Sequence, residues 1–242
     1  MPVDADDAAL KDLLGVQSED TEIQRLTQRR ASLPEAERLA QVTSQLEEFD
    51  ADLEIARKQL EEITREQNRL EGEIELLGQK TGREEGRLFS GAVSNPKELS
   101  ALQAEVAGLR RRSEALEDEL LEVMVQRDSA NETVQSLEAE RATASNQAEA
   151  LTAQVAELTG EIETALAEHS AHRVELAARI PSELLELYES LRDSKQGIGA
   201  AELVGDTCQG CHTALPSREV EHLRAERGLQ RCDNCRRILV VT

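Results

Sequence analysis

The chain is 242 residues long, carries 49 acidic against 28 basic side chains for a net charge of -21, and has only three aromatic residues. So little aromatic bulk excludes an ordinary globular core of this size, and a 32% content of charged residues favours extended helices. A surface this acidic repels phosphate backbones, which excludes the bulk of the molecule as a nonspecific nucleic-acid binder.

Residues 4–31 read as a helix, with apolar positions at Leu10, Leu13, Leu14, Ile23 and Leu26. The stretch that opens the sequence is acidic and lacks the apolar run of a secretory signal. No segment approaches the length of a membrane span, so a cytoplasmic protein without membrane contact is expected. A kink or break is expected near 32–35, where Pro34 disturbs the helix and Ser32 and Glu35 have capping-box spacing.

Leu39, Val42, Leu46, Phe49, Leu53, Ala56, Leu60, Ile63, Gln67, Leu70, Ile74 and Leu77 then alternate in steps of three and four. Such a sustained heptad predicts a coiled coil, because an amphipathic helix on a globular core drifts toward a 3.6-residue period. Gly78, Gly82 and Gly86 follow on one helical face, marking either close backbone approach or a weakened helix end.

An apex is expected near 89–96. Gly91 interrupts the first repeat, Asn95 is a good N-cap, Pro96 suits the first helical position, and Glu98 has the spacing to reach back to the cap. Phe89, Ser90, Asn95, Pro96 and Lys97 are candidate contact residues for a partner at this apex. The repeat resumes at Leu99, Leu102, Val106, Leu109, Ser113, Leu116, Leu120 and Val123, and runs on through Val134, Leu137, Ala144, Ala148, Leu151, Val155, Leu158 and Ile162. Arg127 and Arg141 interrupt it; they either lie along the seam with their heads in water, the favoured reading, or set register. Pairing at equal distance from about residue 92 sets Leu60 beside Val123 and Leu46 beside Leu137. A hairpin and an intermolecular coil satisfy the same heptads; the turn and cap chemistry favours the hairpin, and hence a monomer.

Residues 1–180 are thus assigned to the helical hairpin, 181–199 to a short helix and linker opened by Pro181, and 200–242 to a small terminal domain. Tyr188 is expected to pack against the helical base. Ala200–Val204 and the tail from Arg236 to Val241 read as strands, with a short helix near 217–227.

Cys208-Gln209-Gly210-Cys211 and Cys232-Asp233-Asn234-Cys235 carry the chemistry. Two residues between thiolates let one tight turn aim both sulfurs at one ion, and two such knuckles complete a tetrahedron, so one zinc is expected. An iron centre uses the same ligands. A redox pair fits poorly, because there is no thioredoxin-like βαβ pattern. Four cysteines close the coordination shell, so the metal is expected to be structural, without catalysis. Structural zinc contributes about 10–16 kcal/mol in zinc-finger peptides, enough to decide the fold of a segment this small. His212 is superfluous as a fifth ligand. His169 and His172, three apart, have the spacing for a second metal, although polar residues at the end of the seam are the plainer expectation. Arg218, Arg224, Arg227, Arg231, Arg236 and Arg237 are candidate contacts for nucleic acid or a partner, set among interspersed acids without stacking aromatics.

Three pieces together resemble the bacterial coiled-coil proteins with a C-terminal four-cysteine zinc ribbon: Ser90-Gly91 with Asn95-Pro96-Lys97-Glu98; Cys208-Gln209-Gly210-Cys211-His212 followed by Leu215-Pro216; and Cys232-Asp233-Asn234-Cys235-Arg236-Arg237-Ile238-Leu239. With the helical repeats they cover nearly the whole chain. Arg236 departs from the family, which often has Gly there, and strain in the second knuckle is expected. The resemblance implies a mainly α fold, a long antiparallel coiled-coil hairpin with a small ribbon, and no known enzymatic activity. Some relatives are linked to an alternative sigma factor and to RNA. A protein partner in transcription or its regulation is therefore expected here, with a nucleic-acid-binding ribbon on an acidic spacer as the alternative. Arg outnumbers Lys 23 to 5, which points to a GC-rich, actinobacterial type of genome.

Overall fold

The computed structural model describes residues 6–226 and 228–241. The described elements follow in the order α1 (Asp7–Ala31), α2 (Pro34–Phe89), α3 (Pro96–Ala177), α4 (Ser182–Ser194), β1 (Ala200–Val204), β2 (Thr207–Cys208), β3 (Thr213–Ala214), α5 (Ser217–Ala225), β4 (Gln230–Arg231) and β5 (Ile238–Val241). Contacts gather them into two units, one of Leu39–Ala150 and one of the residues up to Arg38 and from Leu151 onward.

Within Leu39–Ala150 the chain is an antiparallel helical hairpin. Its buried residues are Leu53, Ala56, Gln67 and Leu70 on α2 and Leu102, Val106, Leu116, Val134 and Ala144 on α3, all of them on the three-four repeat. The seam is one side chain deep, which is why most other heptad positions stay half-exposed. The register differs from the symmetric expectation. Leu60 packs on the cluster of Leu53, Ala56 and Val134, together with Leu137. Asp50 accepts from Arg141 at 2.5 Å and Arg57 donates to Glu138 at 2.6 Å. This is a slip of about one heptad, and a slip of that size returns the same face to the seam, so periodicity alone could not separate the two pairings. Of the two roles open to Arg127 and Arg141, the favoured one with heads in water gives way to the register-setting one: each reaches the opposite helix. Arg127 donates at 3.1 Å to Oε1 of Gln67, whose Nε2 donates to Glu71 at 2.7 Å. The one polar heptad position on α2 is thereby satisfied at both ends. Exposed ion pairs of this kind add little stability in water, so their part is to favour this register over its neighbours.

At the apex, Ser90 N–H bonds Gly86 O and Ser90 Oγ donates to Arg87 O, closing α2. Gly91 adopts a φ of 74°, left-handed backbone that glycine tolerates without a Cβ clash. Asn95 Oδ1 then accepts from Lys97 N–H at 3.0 Å and caps α3. A reciprocal bond from Glu98 is absent among the described residues. Gly78, Gly82 and Gly86 face open space, so close backbone approach is not their use, and α2 runs through them.

In the other unit, α1 ends where Ser32 leaves helical geometry (φ -128°, ψ 47°), and α2 restarts with Pro34 at its first position. The break is therefore complete. Ser32 Oγ bonds back to Gln28 O and does not cap forward. Leu26 and Leu33 bury against Ile162 of α3. A larger core joins Leu10, Leu13 and Val16 of α1, Leu184 and Tyr188 of α4, and Ala200, Ile238 and Val240 of the sheet.

Two polar residues of α1 fasten this core. Gln17 Oε1 accepts from the amides of Gly199 (2.7 Å) and Ala200 (3.2 Å), while its Nε2 donates to Gly197 O (3.0 Å) and Thr21 Oγ1 (3.1 Å). Asp20, whose side chain is 5% exposed, accepts from Arg173 (2.7 Å), Arg192 (2.5 Å) and Tyr188 Oη (2.7 Å). Gly199 lies so close to Tyr188 that a Cβ there would sit 2.7 Å from the Tyr188 carbonyl oxygen.

The sheet order is β3-β2-β1-β5-β4, with β1 and β5 parallel and the other neighbours antiparallel. Alternation along β1 and β5 sends Ala200, Ile238 and Val240 to the helical core and Ala201, Leu203 and Leu239 to a second core with Leu215, Val220 and Leu223. Burial on both faces explains why β5 reads as an unbroken apolar run.

Candidate metal centre

Each knuckle is built the same way. Cys208 ends β2, and the amide of His212 bonds the Cys208 carbonyl at 2.8 Å; the amide of Arg236 bonds the Cys232 carbonyl at the same distance. The residue closing each turn is left-handed, His212 with φ 54° and Arg236 with φ 64°. This turn folds the second cysteine back over the first. Neither residue is glycine, so both knuckles carry strain of about 1–2 kcal/mol. A side chain at Gly210 would meet Ala201 Cβ and Arg237 Cδ at 2.9 Å, so the first knuckle presses directly on β1.

All four sulfurs lie within 4.8 Å of one another, with Cys208 to Cys235 at 4.0 Å and Cys211 to Cys232 at 3.9 Å. A tetrahedral ion with Zn–S bonds of about 2.3 Å needs sulfurs about 3.8 Å apart, so the donor set fits zinc with little adjustment. Cys208 and Cys232 are fully buried. Burial pushes the Cys208 thiol up to about 12, against the amides of Gly210 and Cys211, and raises Cys232 likewise. Cys211 is less enclosed; burial opposes ionisation there too, but hydrogen bonds from Thr213 and Asn234 bring it down to about 6. Asn234 Nδ2 lies 3.6 Å from Cys211 Sγ and donates to Thr213 Oγ1 at 2.9 Å. Buried thiols of this kind become thiolates only opposite a cation, which a divalent metal supplies. The centre holds one structural zinc, and its four cysteines leave no position for a substrate or water.

The other candidate residues are dispersed. Arg237 donates to Ile198 O (2.8 Å) and Lys195 O (3.0 Å), tying the second knuckle to the end of α4. Arg224 donates to Gly205 O at 2.8 Å, and Arg236 reaches Asp233 at 3.5 Å. Arg218 and Arg231 make no ion pair among the described residues, and Arg227 lies outside them. At the apex, Phe89 is 80% exposed, Ser90 and Asn95 are spent on the turn, Pro96 opens α3, and Lys97 makes no ion pair among the described residues. His169 and His172 both place Nδ1 on the carboxylate of Glu19, at 2.6 and 2.8 Å. The four cysteines form the one metal-competent cluster among the described residues, so the second metal has no site there. His222 pairs with Glu226 on α5.

Sequence reasoning missed Gln17 and Asp20. A signal was present: Leu10, Leu13, Gln17 and Asp20 continue a three-four spacing, which puts two polar side chains where apolar ones belong. No helix of the described structure is long and apolar enough to cross a membrane.

Comparison with known proteins gives a consistent picture. Residues 16–196 match the CT398-like coiled coil hairpin domain and residues 207–239 the C4-type zinc ribbon domain. The chain is 32% identical over 235 residues to the uncharacterized protein Rv2229c of Mycobacterium tuberculosis, covering 96% of this chain and 95% of that one. A solved structure from Mycobacterium smegmatis is 28% identical, with a TM-score of 0.69 over 99% of this chain and 100% of that one. CT398 from Chlamydia trachomatis shares the fold at 22% identity and a TM-score of 0.65, over 97% and 98% of the two chains. With its helices forming a hairpin and its four thiolates gathered into a ribbon, the chain belongs to the CT398-like coiled-coil hairpin family.

Proposed function

We propose that the protein is a non-enzymatic adaptor, in which zinc fixes the ribbon as a rigid surface for a protein partner in transcription or its regulation. The observation that carries this reading is the closed shell of Cys208, Cys211, Cys232 and Cys235. A catalytic zinc keeps one position open for water, and four thiolates leave none. The fastening supports the same reading. Gln17 and Arg237 hold the linker and second knuckle to the helical base, as a presented surface requires. The setting in transcription rests on the resemblance to sigma-factor-binding relatives.

The alternative, a nucleic-acid-binding ribbon, has less support. Arg224 and Arg237 are spent on backbone carbonyls, which leaves Arg218 and Arg231 as the unpaired cations of the described ribbon.

Photo-crosslinkers placed at Arg218 and Arg231, and separately at Phe89, test the reading in cells. The expected result is capture of one protein by the zinc-loaded chain and loss of the ribbon crosslink in Cys232→Ser. Capture of RNA or DNA at Arg218 and Arg231, with no protein, would overturn it in favour of the alternative.

A further inference from the structure

The charge of the hairpin reverses at its apex. Residues 78–113 carry seven Lys or Arg against four Asp or Glu, whereas residues 39–77 and 114–150 together carry six against twenty-one. Lys80, Arg87 and Arg110 pair with Glu105, Glu84 and Glu85. Arg83, Lys97, Arg111 and Arg112 make no ion pair among the described residues. The acidic stretch of α2 ends about 18 Å along the helix from Phe89, more than two screening lengths at physiological salt, whereas that of α3 begins at Glu114 beside the apex, so the apex is positive by the excess of its seven local cations over four local acids.

A groove with an apolar floor and a charged wall lies among the same residues. Leu88, Phe89, Val106 and Ala107 supply its apolar lining, Gln103, Arg110 and Arg111 stand at its wall beside Glu85 and Glu114, and its volume is about 410 Å³; Glu85 is paired with Arg110, which leaves Arg111 to face Glu114 there. Phe89 is 80% exposed. The turn itself makes no use of it: Ser90, Gly91 and Asn95 close the hairpin. An exposed aromatic ring beside a groove that the unpaired Arg111 borders, on a segment where cations outnumber acids and in a chain with only three aromatic residues, is a contact surface that suits negative charge.

We propose that the apex is a docking surface for an acidic segment of a partner protein that also carries apolar side chains. Phe89 and the groove take an apolar side chain, while Arg83, Lys97, Arg111 and Arg112 take carboxylates. The proposal rests on the adaptor reading and supplies its second contact. The apolar lining of Leu88, Phe89, Val106 and Ala107, with Glu85 and Glu114 beside it, favours protein over nucleic acid as the occupant. A nucleic-acid strand is held by successive stacking rings along a basic track, and residues 78–113 offer one ring.

The test uses the full zinc-loaded chain and three labelled synthetic peptides, followed by fluorescence anisotropy. One peptide has leucines spaced among glutamates and serines; the second replaces its leucines with serine; the third replaces its glutamates with lysine. Labelled oligothymidylate is the fourth probe. The expected result is saturable binding of the first peptide alone, weakened about tenfold or more by Arg111→Glu with Arg112→Glu, similarly by Phe89→Ala, and by added salt. Arg69→Glu, on the acidic arm, leaves binding unchanged. Helix content and zinc content, measured on every variant, exclude misfolding. Binding of the first peptide that ignores both apex variants overturns the proposal, as does failure of that peptide to bind. Oligothymidylate binding lost in the same variants overturns it in favour of nucleic acid. The adaptor reading fails separately: a protein crosslinked through the ribbon, and captured equally by the apex variants, leaves that reading standing and removes the apex contact.

Discussion

The hydroxyl of Tyr188 donates a 2.7 Å hydrogen bond to Oδ2 of Asp20, a carboxylate 168 positions earlier in the chain. Burial, with the Asp20 charge beside it, pushes the Tyr188 hydroxyl well above the usual phenol range, so it remains a donor. Arg173 and Arg192 complete the shell around the carboxylate and also contact Glu189. α1, α3 and α4 thus meet on one buried charge. Asp20→Ala leaves two half-enclosed guanidinium groups short of their counter-charge and is expected to cost about 3–5 kcal/mol. Tyr188→Phe removes one of several donors and should cost about 1 kcal/mol. Urea unfolding of the zinc-loaded chain separates the two; equal costs would show that packing of the ring, and not the charge, holds the junction.

Gln17 acts on backbone rather than charge. Its amide satisfies the amides of Gly199 and Ala200 and the carbonyl of Gly197, where the linker enters β1. Gln17→Leu keeps the volume but strands these groups, each at about 1–3 kcal/mol. Faster hydrogen exchange at the Gly199 and Ala200 amides is the expected signature, with zinc retained. Unchanged exchange there would mean that the linker is held by other contacts.

Glu19 predicts a pH dependence. Burial raises its carboxyl pKa, but hydrogen bonds from His169 and His172 outweigh it, and the net shift is downward from 4.5. A carboxylate lowered in the folded state adds stability above its unfolded pKa and loses it as pH falls through the folded value. Wild type should therefore lose more unfolding free energy than Glu19→Gln between neutral pH and the range below 4.5. Parallel acid profiles of the two proteins would contradict this.

Arg236 closes the second knuckle in left-handed backbone, with only an exposed 3.5 Å contact to Asp233 in return. Glycine adopts that geometry without a Cβ clash. Arg236→Gly is expected to stabilise the zinc-loaded protein by about 0.5–1 kcal/mol, while Arg236→Ala keeps the strain and brings no gain. Thermal unfolding of the three proteins decides it; equal gains from glycine and alanine would show that charge, not backbone, was at issue.

These cases mark what the chain discloses on its own. The apex was legible because Gly91, Asn95 and Pro96 act through local backbone rules. The metal centre was legible because cysteine spacing encodes the reach of a turn. Register was not, since a heptad slip preserves every a and d position, and the choice rests on side chains such as Arg127 meeting Gln67. The parallel pairing of β1 with β5 joins Ala200 to Ile238 across most of the ribbon, beyond any local signal. Asp20 and Gln17 carried a signal, polar residues at apolar heptad positions, but their partners Tyr188, Arg192 and Gly199 lie at the other end of the chain.

The central claim is that the ribbon's metal is closed and structural, and zinc K-edge X-ray absorption on the purified chain tests it most directly. The account predicts four sulfur scatterers at about 2.3 Å and no oxygen or nitrogen in the first shell. It also predicts that chelation unfolds residues 208–235 while most of the helical signal persists, because the hairpin seam of Leu53, Leu70, Leu116 and Val134 contains no metal ligand. A first shell with fewer than four sulfurs and a light-atom ligand would contradict it, because a metal with an open position can do chemistry.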